Sequence, residues 1–349
     1  MRIAGVGHAF PPHFYSQEDL LAAAEAQWAD KLFHRERIAQ LFSNVLVGGR
    51  HLSLPLADYA ELASFGEAND AWIRVALEVG AAAIERAAAA AGVTLAEIDA
   101  LFTVSVTGLA TPSLDARLMN RLPLAPSLKR VPIFGLGCVA GAAGIARAAD
   151  YVRGFPDQVA VLLSVELCSL TLQREDLSIA NLISSGLFGD GAAAVVVSGA
   201  ERRGDGPRVV ATRSAFYPGT EGVMGWDISE RGFQIVLSAE VPEMVEKHLR
   251  ADVDGFLAEH GLARGDVRSW IAHTGGPKVL AAMQRVLELP ADALELTWKS
   301  LREVGNLSST SVLLVLEETL RDRRPAPGSP GLLFAMGPGF CSELVLLEW

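Results

Sequence analysis

The sequence predicts a layered α/β fold. Short apolar runs rich in β-branched residues alternate along the chain with helical patterns, and several runs are apolar throughout, as in strands buried on both faces. Half of the 349 residues are apolar and one fifth are charged, a balance typical of a globular chain. At about 150 residues per domain, this length corresponds to about two units or one large α/β domain.

In the first half, a long helix is predicted to begin at Asn69 or Asp70, whose side chains can cap it, and to end near Gly92. Buried strands are predicted at 101–106, 131–134, 159–165 and 193–197. Helices are predicted at 138–152 and 177–185. The Arg-Arg-Gly-Asp-Gly turn at 202–206 is the predicted boundary, dividing the chain into 1–205 and 206–349.

The second half repeats this rhythm. Strands are predicted at 209–216, 233–237, 270–272, 332–336 and 343–347. Helices are predicted at 241–259, 278–287, 293–304 and 308–321.

Charge and composition exclude several classes of protein. The formal net charge of −11, with no basic block, argues against nucleic acid as a partner. No segment reaches the ~18 uninterrupted apolar residues of a membrane span, and the N-terminus has no apolar core of a signal peptide. Three cysteines, an odd and sparse set, are typical of a reducing compartment. We therefore expect a cytoplasmic protein.

The densest chemical signal is Phe134-Gly-Leu-Gly-Cys138-Val-Ala-Gly, where a strand runs into a glycine-rich turn and a helix. A helix N-terminus favours a thiolate, so Cys138 is a candidate nucleophile; otherwise it is a buried structural cysteine. The same turn, 135–140, also matches the G-x-G-x-x-A dinucleotide fingerprint, with Glu166 just beyond the next strand. That pattern would instead indicate a non-catalytic protein that binds a dinucleotide or CoA.

A cysteine nucleophile needs a partner for its proton. Of seven histidines, only His273 ends an apolar strand and precedes a turn, Thr-Gly-Gly-Pro, that opens a helix. Most of the histidines, among them His34, lie in polar or loop contexts and are expected at the surface. Asn306 is predicted either to cap a helix or to donate a hydrogen bond to an oxyanion. The sequence contains no zinc-type spacing, no G-x-S-x-G and no Walker loop.

Five motifs in this order resemble the type III polyketide synthases, the chalcone-synthase-like family of the thiolase superfamily, from about Ile3 to Leu347. They are Gly135-Leu-Gly-Cys-Val-Ala-Gly, Leu187-Phe-Gly-Asp-Gly-Ala-Ala, His273-Thr-Gly-Gly-Pro, Gly305-Asn-Leu-Ser-Ser and Gly337-Pro-Gly-Phe.

The resemblance implies a thiolase-like fold of two similar halves, layered α-β-α-β-α around buried central helices. By position in the motifs, Cys138 would be the nucleophile, and His273 and Asn306 would serve decarboxylation of malonyl-CoA. The expected substrates are an acyl-CoA and malonyl-CoA, with no metal or prosthetic group.

The resemblance also implies a homodimer and a set of residues around the substrate. Phe188 would separate a CoA tunnel from the pocket, and Thr111 would reach into the partner's pocket. CoA contacts are expected at Arg50, Lys278 and Gly276.

Two departures from the plant pattern concern the substrate. Ile235 stands where plant enzymes have an aromatic gate, and Trp226 where they have a small residue. Both favour a fatty acyl starter and an alkylpyrone or alkylresorcinol product. The alternatives are a chalcone or tetrahydroxynaphthalene type with an aromatic or malonyl starter, and a ketoacyl-synthase-III-like enzyme that performs one condensation. Gly337-Pro-Gly-Phe favours the polyketide synthase over the latter.

Overall fold

A computed structural model describes residues 1–29, 35–202 and 204–349, without the side chain of Arg35. The surface prediction for His34 falls outside these ranges, as does Arg203 in the predicted boundary turn. No helix in the described ranges is both long and apolar enough to cross a membrane.

The described ranges contain thirteen strands and ten α-helices. The strands are β1 (Arg2–Ala9), β2 (His13–Ser16), β3 (Gly49–Leu52), β4 (Ala100–Val104), β5 (Lys129–Ile133), β6 (Val159–Leu167), β7 (Asp190–Ser198), β8 (Arg208–Phe216), β9 (Met224–Ser229), β10 (Gly232–Leu237), β11 (Ser269–Ala272), β12 (Pro330–Gly337) and β13 (Cys341–Glu348). The helices are α1 (Gln17–Gln27), α2 (Arg35–Asn44), α3 (Phe65–Ala91), α4 (Leu114–Met119), α5 (Ala140–Gly154), α6 (Ile179–Leu187), α7 (Val241–Glu259), α8 (Pro277–Leu287), α9 (Glu295–Val304) and α10 (Ser311–Asp322).

Nine strands form one mixed sheet in the order β11-β12-β13-β8-β1-β7-β6-β4-β5. The sheet has two segments, one built from strands of each half of the chain. They meet where Arg2 of β1 lies opposite Arg208 of β8, the single Cα pairing between these strands. β4 runs parallel to both β5 and β6, and β11 runs parallel to β12; the other pairs are antiparallel.

The helices form layers on both sides of each sheet segment. On β6, Leu162 packs with α5 and α10, whereas Val161 and Leu163 point to the opposite face and pack with α3. On β13, Val345 packs with α5 and α10, and Leu344 packs with α7 and α8. Because side chains alternate along a strand, α5 and α10 lie between the two sheet segments. This confirms the predicted α-β-α-β-α arrangement with buried central helices.

Small residues let the central helix α5 pack closely. A Cβ on Gly141 would lie 2.2 Å from the Ser309 carbonyl oxygen, and one on Gly144 would lie 2.4 Å from the Leu162 side chain. The Gly/Ala pattern of this segment therefore places the turn before α5 against the turn before α10. The candidate site is built on these two turns.

Several predicted elements differ from the structure. α3 begins at Phe65, one turn earlier than predicted, because Ser64 and Glu67 form a capping box there; it ends at Ala91, before Gly92. The strand predicted at 131–134 is present as β5, but its predicted burial is wrong, because β5 is a partly exposed edge strand and its neighbour Phe134 is 49% exposed. The hairpin partner of β10, β9, was not predicted because it is short and half polar. The N-terminal elements β1–β3, α1 and α2 were not predicted either.

Candidate active site

A chamber of about 220 Å³ lies beside the turn that carries Cys138. Apolar side chains from α1, α2, the β9–β10 hairpin and the segment 52–60 form most of its wall. Of the predicted site residues, those that line it are Arg50, Cys138, Phe188, Trp226 and Ile235. His273 and Asn306 are buried but do not line it. The chamber therefore brings together part of the predicted site.

Cys138 lies in a 3₁₀ turn, Gly137–Val139, that leads directly into α5. Gly137 has φ 55°, and a Cβ there would lie 2.6 Å from the ring of Pro338. Glycine is thus required both by the backbone angle and by the contact with the C-terminal turn. The Cys138 thiol is 6% exposed, and its sulfur lies 3.6 Å from the Ser308 Oγ. The predicted position of Cys138 at the opening of a helix is confirmed.

Asn306 does not cap α10 in the predicted manner. Its Oδ1 accepts a hydrogen bond from the Ser308 N–H (2.8 Å), closing a two-residue turn, while Thr310 is the residue that precedes α10. Because the amide oxygen is used in this turn, the NH₂ group is the part of the side chain left to donate to another oxygen. Asn306 and Phe188 also form a short β-bridge. Asn306 is therefore fixed relative to two residues of the chamber wall, Ser308 and Phe188.

His273 directly follows β11 and is the one buried histidine among the six that the structure describes. Its backbone N–H donates to the Phe334 carbonyl (3.1 Å), which extends the pairing of β11 with β12. Its Nδ1 is buried and has no hydrogen-bond partner among the residues that the structure describes. A buried imidazole with a free nitrogen is suited to exchange a proton or to bind a substrate oxygen.

Burial dominates the electrostatics of these groups. Desolvation raises the pKa of the Cys138 thiol to about 12 and lowers the pKa of His273 to about 4. In the site without substrate, the favoured form of Cys138 is therefore the thiol, and the favoured form of His273 is the neutral imidazole. The thiolate expected at this helix N-terminus is not favoured in this structure, because its charge would not be solvated.

Glu166 lies inside β6 and not beyond it, so its predicted position is wrong. It is fully buried and accepts hydrogen bonds from the Val106 N–H (3.1 Å), the Thr107 Oγ1 (3.0 Å) and the Ser309 Oγ. Desolvation raises its pKa to about 7, and its charge contributes to the raised pKa of Cys138. An acid buried in this way cannot reach a ribose, which argues against the dinucleotide fingerprint. In the described ranges no cluster of three or more His, Cys, Asp or Glu could hold a metal.

The two residues predicted to shape the substrate lie opposite each other. Trp226 of β9 and Ile235 of β10 are Cα partners across the hairpin, and both side chains face the chamber. The Trp226 ring also contacts the ring of Phe233, with centroids 5.8 Å apart. Phe188 follows α6 and contributes to the wall from the other side. One hairpin therefore controls the shape of this wall.

The remaining predicted positions lie elsewhere. Thr111 is exposed and does not line the chamber of its own chain. Lys278 is exposed at the first turn of α8, and Gly276, with φ 108°, immediately precedes that helix. Arg50, by contrast, is only 2% exposed, and its Nη1 donates to the Phe188 carbonyl (2.7 Å). That buried position does not suit contact with a solvated CoA phosphate.

Sequence reasoning missed most of the residues that line the chamber, and two of them bear on the chemistry of Cys138. Ser308 contacts Cys138, and Cys168, just after β6, is a second buried cysteine in the wall. The sequence did indicate the polar side chains around Glu166, because this carboxylate interrupts an otherwise apolar run. No sequence signal separated Ser308 from its neighbouring serines.

Comparison with known proteins agrees with this architecture. The N-terminal domain of the chalcone and stilbene synthases matches residues 2–201, and the C-terminal domain of the same family matches residues 208–348. The chain is 53% identical over 350 residues to the 1,3,6,8-tetrahydroxynaphthalene synthase of Streptomyces peucetius subsp. caesius, covering 99% of this chain and 93% of that protein. It is 32% identical to the 3,5-dihydroxyphenylacetyl-CoA synthase of Amycolatopsis orientalis, covering 100% of this chain and 93% of that protein.

Among solved structures, the 1,3,6,8-tetrahydroxynaphthalene synthase of Streptomyces coelicolor superposes with a TM-score of 0.95 at 33% identity, covering 100% of this chain and 99% of that one. The chain belongs to the chalcone and stilbene synthase family. It is a bacterial type III polyketide synthase with a thiolase-like fold, and hence a decarboxylating, condensing acyltransferase that uses CoA thioesters.

Proposed function

We propose that this enzyme makes 1,3,6,8-tetrahydroxynaphthalene or a closely related phenol from malonyl-CoA alone. The observation that carries the proposal is the 53% identity over 99% of the chain to a synthase of that product. The size of the chamber agrees with it. At about 220 Å³ it is smaller than the ~300–1,000 Å³ typical of small-molecule sites, and Trp226 takes up part of its wall. A compact starter and a compact bicyclic product suit this space better than a long acyl chain.

In the proposed loading step, the Cys138 sulfur attacks the thioester carbonyl of malonyl-CoA. The thiol proton passes to His273, and the CoA thiolate leaves and takes up a proton. Separate ionisation of either buried side chain is costly. Transfer of one proton between them creates an ion pair without net charge, and the attraction between its two charges offsets part of the cost of the two ionisations. The raised pKa of Cys138 and the lowered pKa of His273 both oppose the transfer in the free site, so in this proposal the proton moves as the sulfur attacks the thioester.

In the proposed extension step, a second malonyl-CoA loses CO₂. The electron pair of the broken C–C bond forms an enolate, whose oxygen accepts hydrogen bonds from His273 and the Asn306 NH₂ group. The enolate carbon attacks the acyl group on Cys138, and the C–S bond breaks to return the sulfur. The chain, now carried by the CoA of the second malonyl-CoA, returns to Cys138 as that CoA leaves, and each repetition adds two carbons. A three-carbon malonyl starter and four extensions give eleven carbons, so a ten-carbon naphthalene also requires the starter carboxyl group to leave as CO₂.

Replacing His273 by glutamine should change the pH dependence of Cys138 reactivity. Under the proposed transfer, the pair keeps one proton between the lower pKa of His273 and the upper pKa of Cys138, so iodoacetamide alkylation of Cys138 should vary little between about pH 6 and 8. In His273→Gln the thiolate forms only by loss of the proton to solvent, and the rate should rise with pH through that window. Alkylated peptide quantified by mass spectrometry gives the profile. Parallel profiles for both proteins would contradict the proposed proton transfer.

The substrate proposal is tested by incubation with malonyl-CoA alone. We expect a ten-carbon tetrahydroxylated naphthalene as the main product, identified by mass spectrometry against a synthetic standard. A parallel series adds saturated acyl-CoA starters of increasing length. The fatty acyl starter and alkylpyrone product expected from Ile235 are the competing reading, favoured by the apolar wall of the chamber.

The outcomes separate these readings. If kcat/KM climbs with acyl chain length and malonyl-CoA alone yields no product, the alkylpyrone reading replaces the tetrahydroxynaphthalene one. If condensation requires malonate on a carrier protein and stops after one step, the ketoacyl-synthase-III-like alternative is correct.

We further propose a homodimer in the cytoplasm, with the nucleophile on residues 1–205 and the decarboxylation residues on 206–349. Thr111 is exposed, and Leu109, two residues before it, is a 40% exposed apolar side chain that offers surface for a partner. All three cysteines are free, in agreement with a reducing compartment. For CoA, Lys278 and Gly276 at the start of α8 remain the proposed contacts.

A further inference from the structure

We propose that Arg50 is a positioning residue that fixes Asn306 and Phe188 relative to each other, and that Asp190 complements its charge. The proposal gives Arg50 a role different from the CoA contact implied by family resemblance. It deepens the proposed function, because it rests on the assignment of Asn306 as an oxyanion donor.

The alkyl part of Arg50 lies in a slot between two glycines. A Cβ on Gly305 would lie 3.1 Å from the Arg50 Cγ and Cδ and 2.7 Å from the Leu187 carbonyl oxygen. A Cβ on Gly189 would lie 3.4 Å from the Arg50 Cβ and 2.7 Å from the Val304 carbonyl oxygen. Gly305 precedes Asn306, and Gly189 follows Phe188. The Arg50 side chain therefore packs against the backbone next to both residues.

The backbone of these two segments is joined at the same place. The Asn306 N–H donates to the Leu187 carbonyl (2.9 Å), and the Gly189 N–H donates to the Asn306 carbonyl (2.9 Å). The Phe188 carbonyl, between these two bonds, accepts instead from the Arg50 Nη1 (2.7 Å). Arg50 thus supplies the hydrogen bond that the bridge itself leaves unmade at Phe188. Without it, that carbonyl would lose a charged donor inside the protein.

Asp190, which follows Gly189, forms hydrogen bonds to two other segments of the N-terminal half. Its carboxylate accepts from the Ser53 N–H (2.7 Å), the Ser53 Oγ (2.6 Å) and the Ser169 N–H (2.8 Å). Burial lowers the pKa of Arg50 to about 10, and the charge of Asp190 opposes that shift. A buried cation is costly unless an opposite charge and hydrogen bonds stabilise it. The Phe188 carbonyl and the charge of Asp190 meet this requirement in part, whereas the buried Arg50 Nε has no hydrogen-bond partner among the described residues.

The test is Arg50→Met, which keeps much of the length and volume of the side chain but loses the charge and the donors. Misplacing a reacting group by about 1 Å can cost about 10²-fold. We therefore expect malonyl-CoA decarboxylation to fall about 10²-fold in kcat, with acyl loading of Cys138 within about threefold of the parent protein. Arg50→Lys, which keeps the charge and can donate to the carbonyl, should recover part of the lost rate.

Arg264→Met is the matched control, because Arg264 also donates from its Nη1 to a backbone carbonyl, that of Leu287, but does not line the chamber. We expect it to leave both steps near the parent rate. Combining Arg50→Met with Asn306→Asp should add little to the loss caused by Asn306→Asp alone, because Arg50 acts through Asn306.

Several results would overturn the inference. The first is that loading and decarboxylation fall equally in both Arg50→Met and Arg50→Lys. The second is that Arg50→Met decarboxylates malonyl-CoA at the parent rate. The third is that the losses of the two single variants add up in the double variant. If instead Asn306→Asp decarboxylates malonyl-CoA at the parent rate, the proposed role of Asn306 as an oxyanion donor is wrong, and the role of Arg50, which rests on it, is wrong with it. Thermal melting of each variant shows whether it folds. If Arg50→Met does not fold, the comparison of loading with decarboxylation in Arg50→Lys still decides the test.

Discussion

Replacing Cys138 by alanine is expected to abolish polyketide formation, with a loss of roughly four or more orders of magnitude, because no other group can carry the growing chain. The covalent acyl-enzyme should disappear from the intact-protein mass spectrum. Decarboxylation of malonyl-CoA should persist, since the proposed donors, His273 and the Asn306 NH₂ group, do not depend on the sulfur. This separation distinguishes loss of the nucleophile from general damage to the site.

Cys168 provides the matched control, because it is a second buried cysteine in the wall of the same chamber. Burial and the neighbouring carboxylates of Glu166 and Asp190 raise its pKa well above the usual value, and unlike Cys138 it does not lie in the turn that opens α5. Cys168→Ala should still form the acyl-enzyme, with the acyl group on the peptide that contains Cys138. Acylation of Cys138→Ala at Cys168, with continued product formation, would show that the nucleophile is misassigned.

Replacing Asn306 by aspartate is expected to slow malonyl-CoA decarboxylation about 10²–10³-fold, the usual cost of losing one oxyanion donor. The carboxylate keeps an acceptor for the Ser308 N–H, so the turn before α10 can persist. It removes the NH₂ donor and places a negative charge where the enolate would form. Acyl loading, followed by the mass of the acyl-enzyme, should change by only a few fold.

A comparison with Asn306→Ala separates the two roles of this side chain. Asn306→Ala loses both the acceptor and the donor, so it should melt at a lower temperature than Asn306→Asp, and its slow decarboxylation should not gain from a lower pH. The protonated side chain of Asn306→Asp regains one O–H donor, so its residual rate should rise as the pH falls. If Asn306→Asp extends chains at the parent rate, Asn306 serves only the turn.

The sequence alone determined the fold class, the family and the location of Cys138. Strand and helix periodicity depend on local chemistry, and α7 (Val241–Glu259) has the predicted bounds because its apolar residues recur along one face. Glycine spacing before Cys138 is likewise local, since Gly135 and Gly137 both have positive φ. The errors at α3 and β5 also have local explanations: a capping box at Ser64 was overlooked, and an edge strand was taken for a buried one.

Only the tertiary structure decided which residues meet and which charges are buried. Ser308 contacts Cys138 from 170 positions away, and Trp226 faces Ile235 through a hairpin that the sequence did not reveal. Arg50 matched a CoA-binding position in sequence, yet its side chain packs between Gly189 and Gly305 and donates to Phe188. The pKa values of Cys138 and His273 moved in the directions set by burial, against the expected thiolate. Desolvation depends on how completely distant segments enclose a side chain, and that is a property of packing which no local pattern carries.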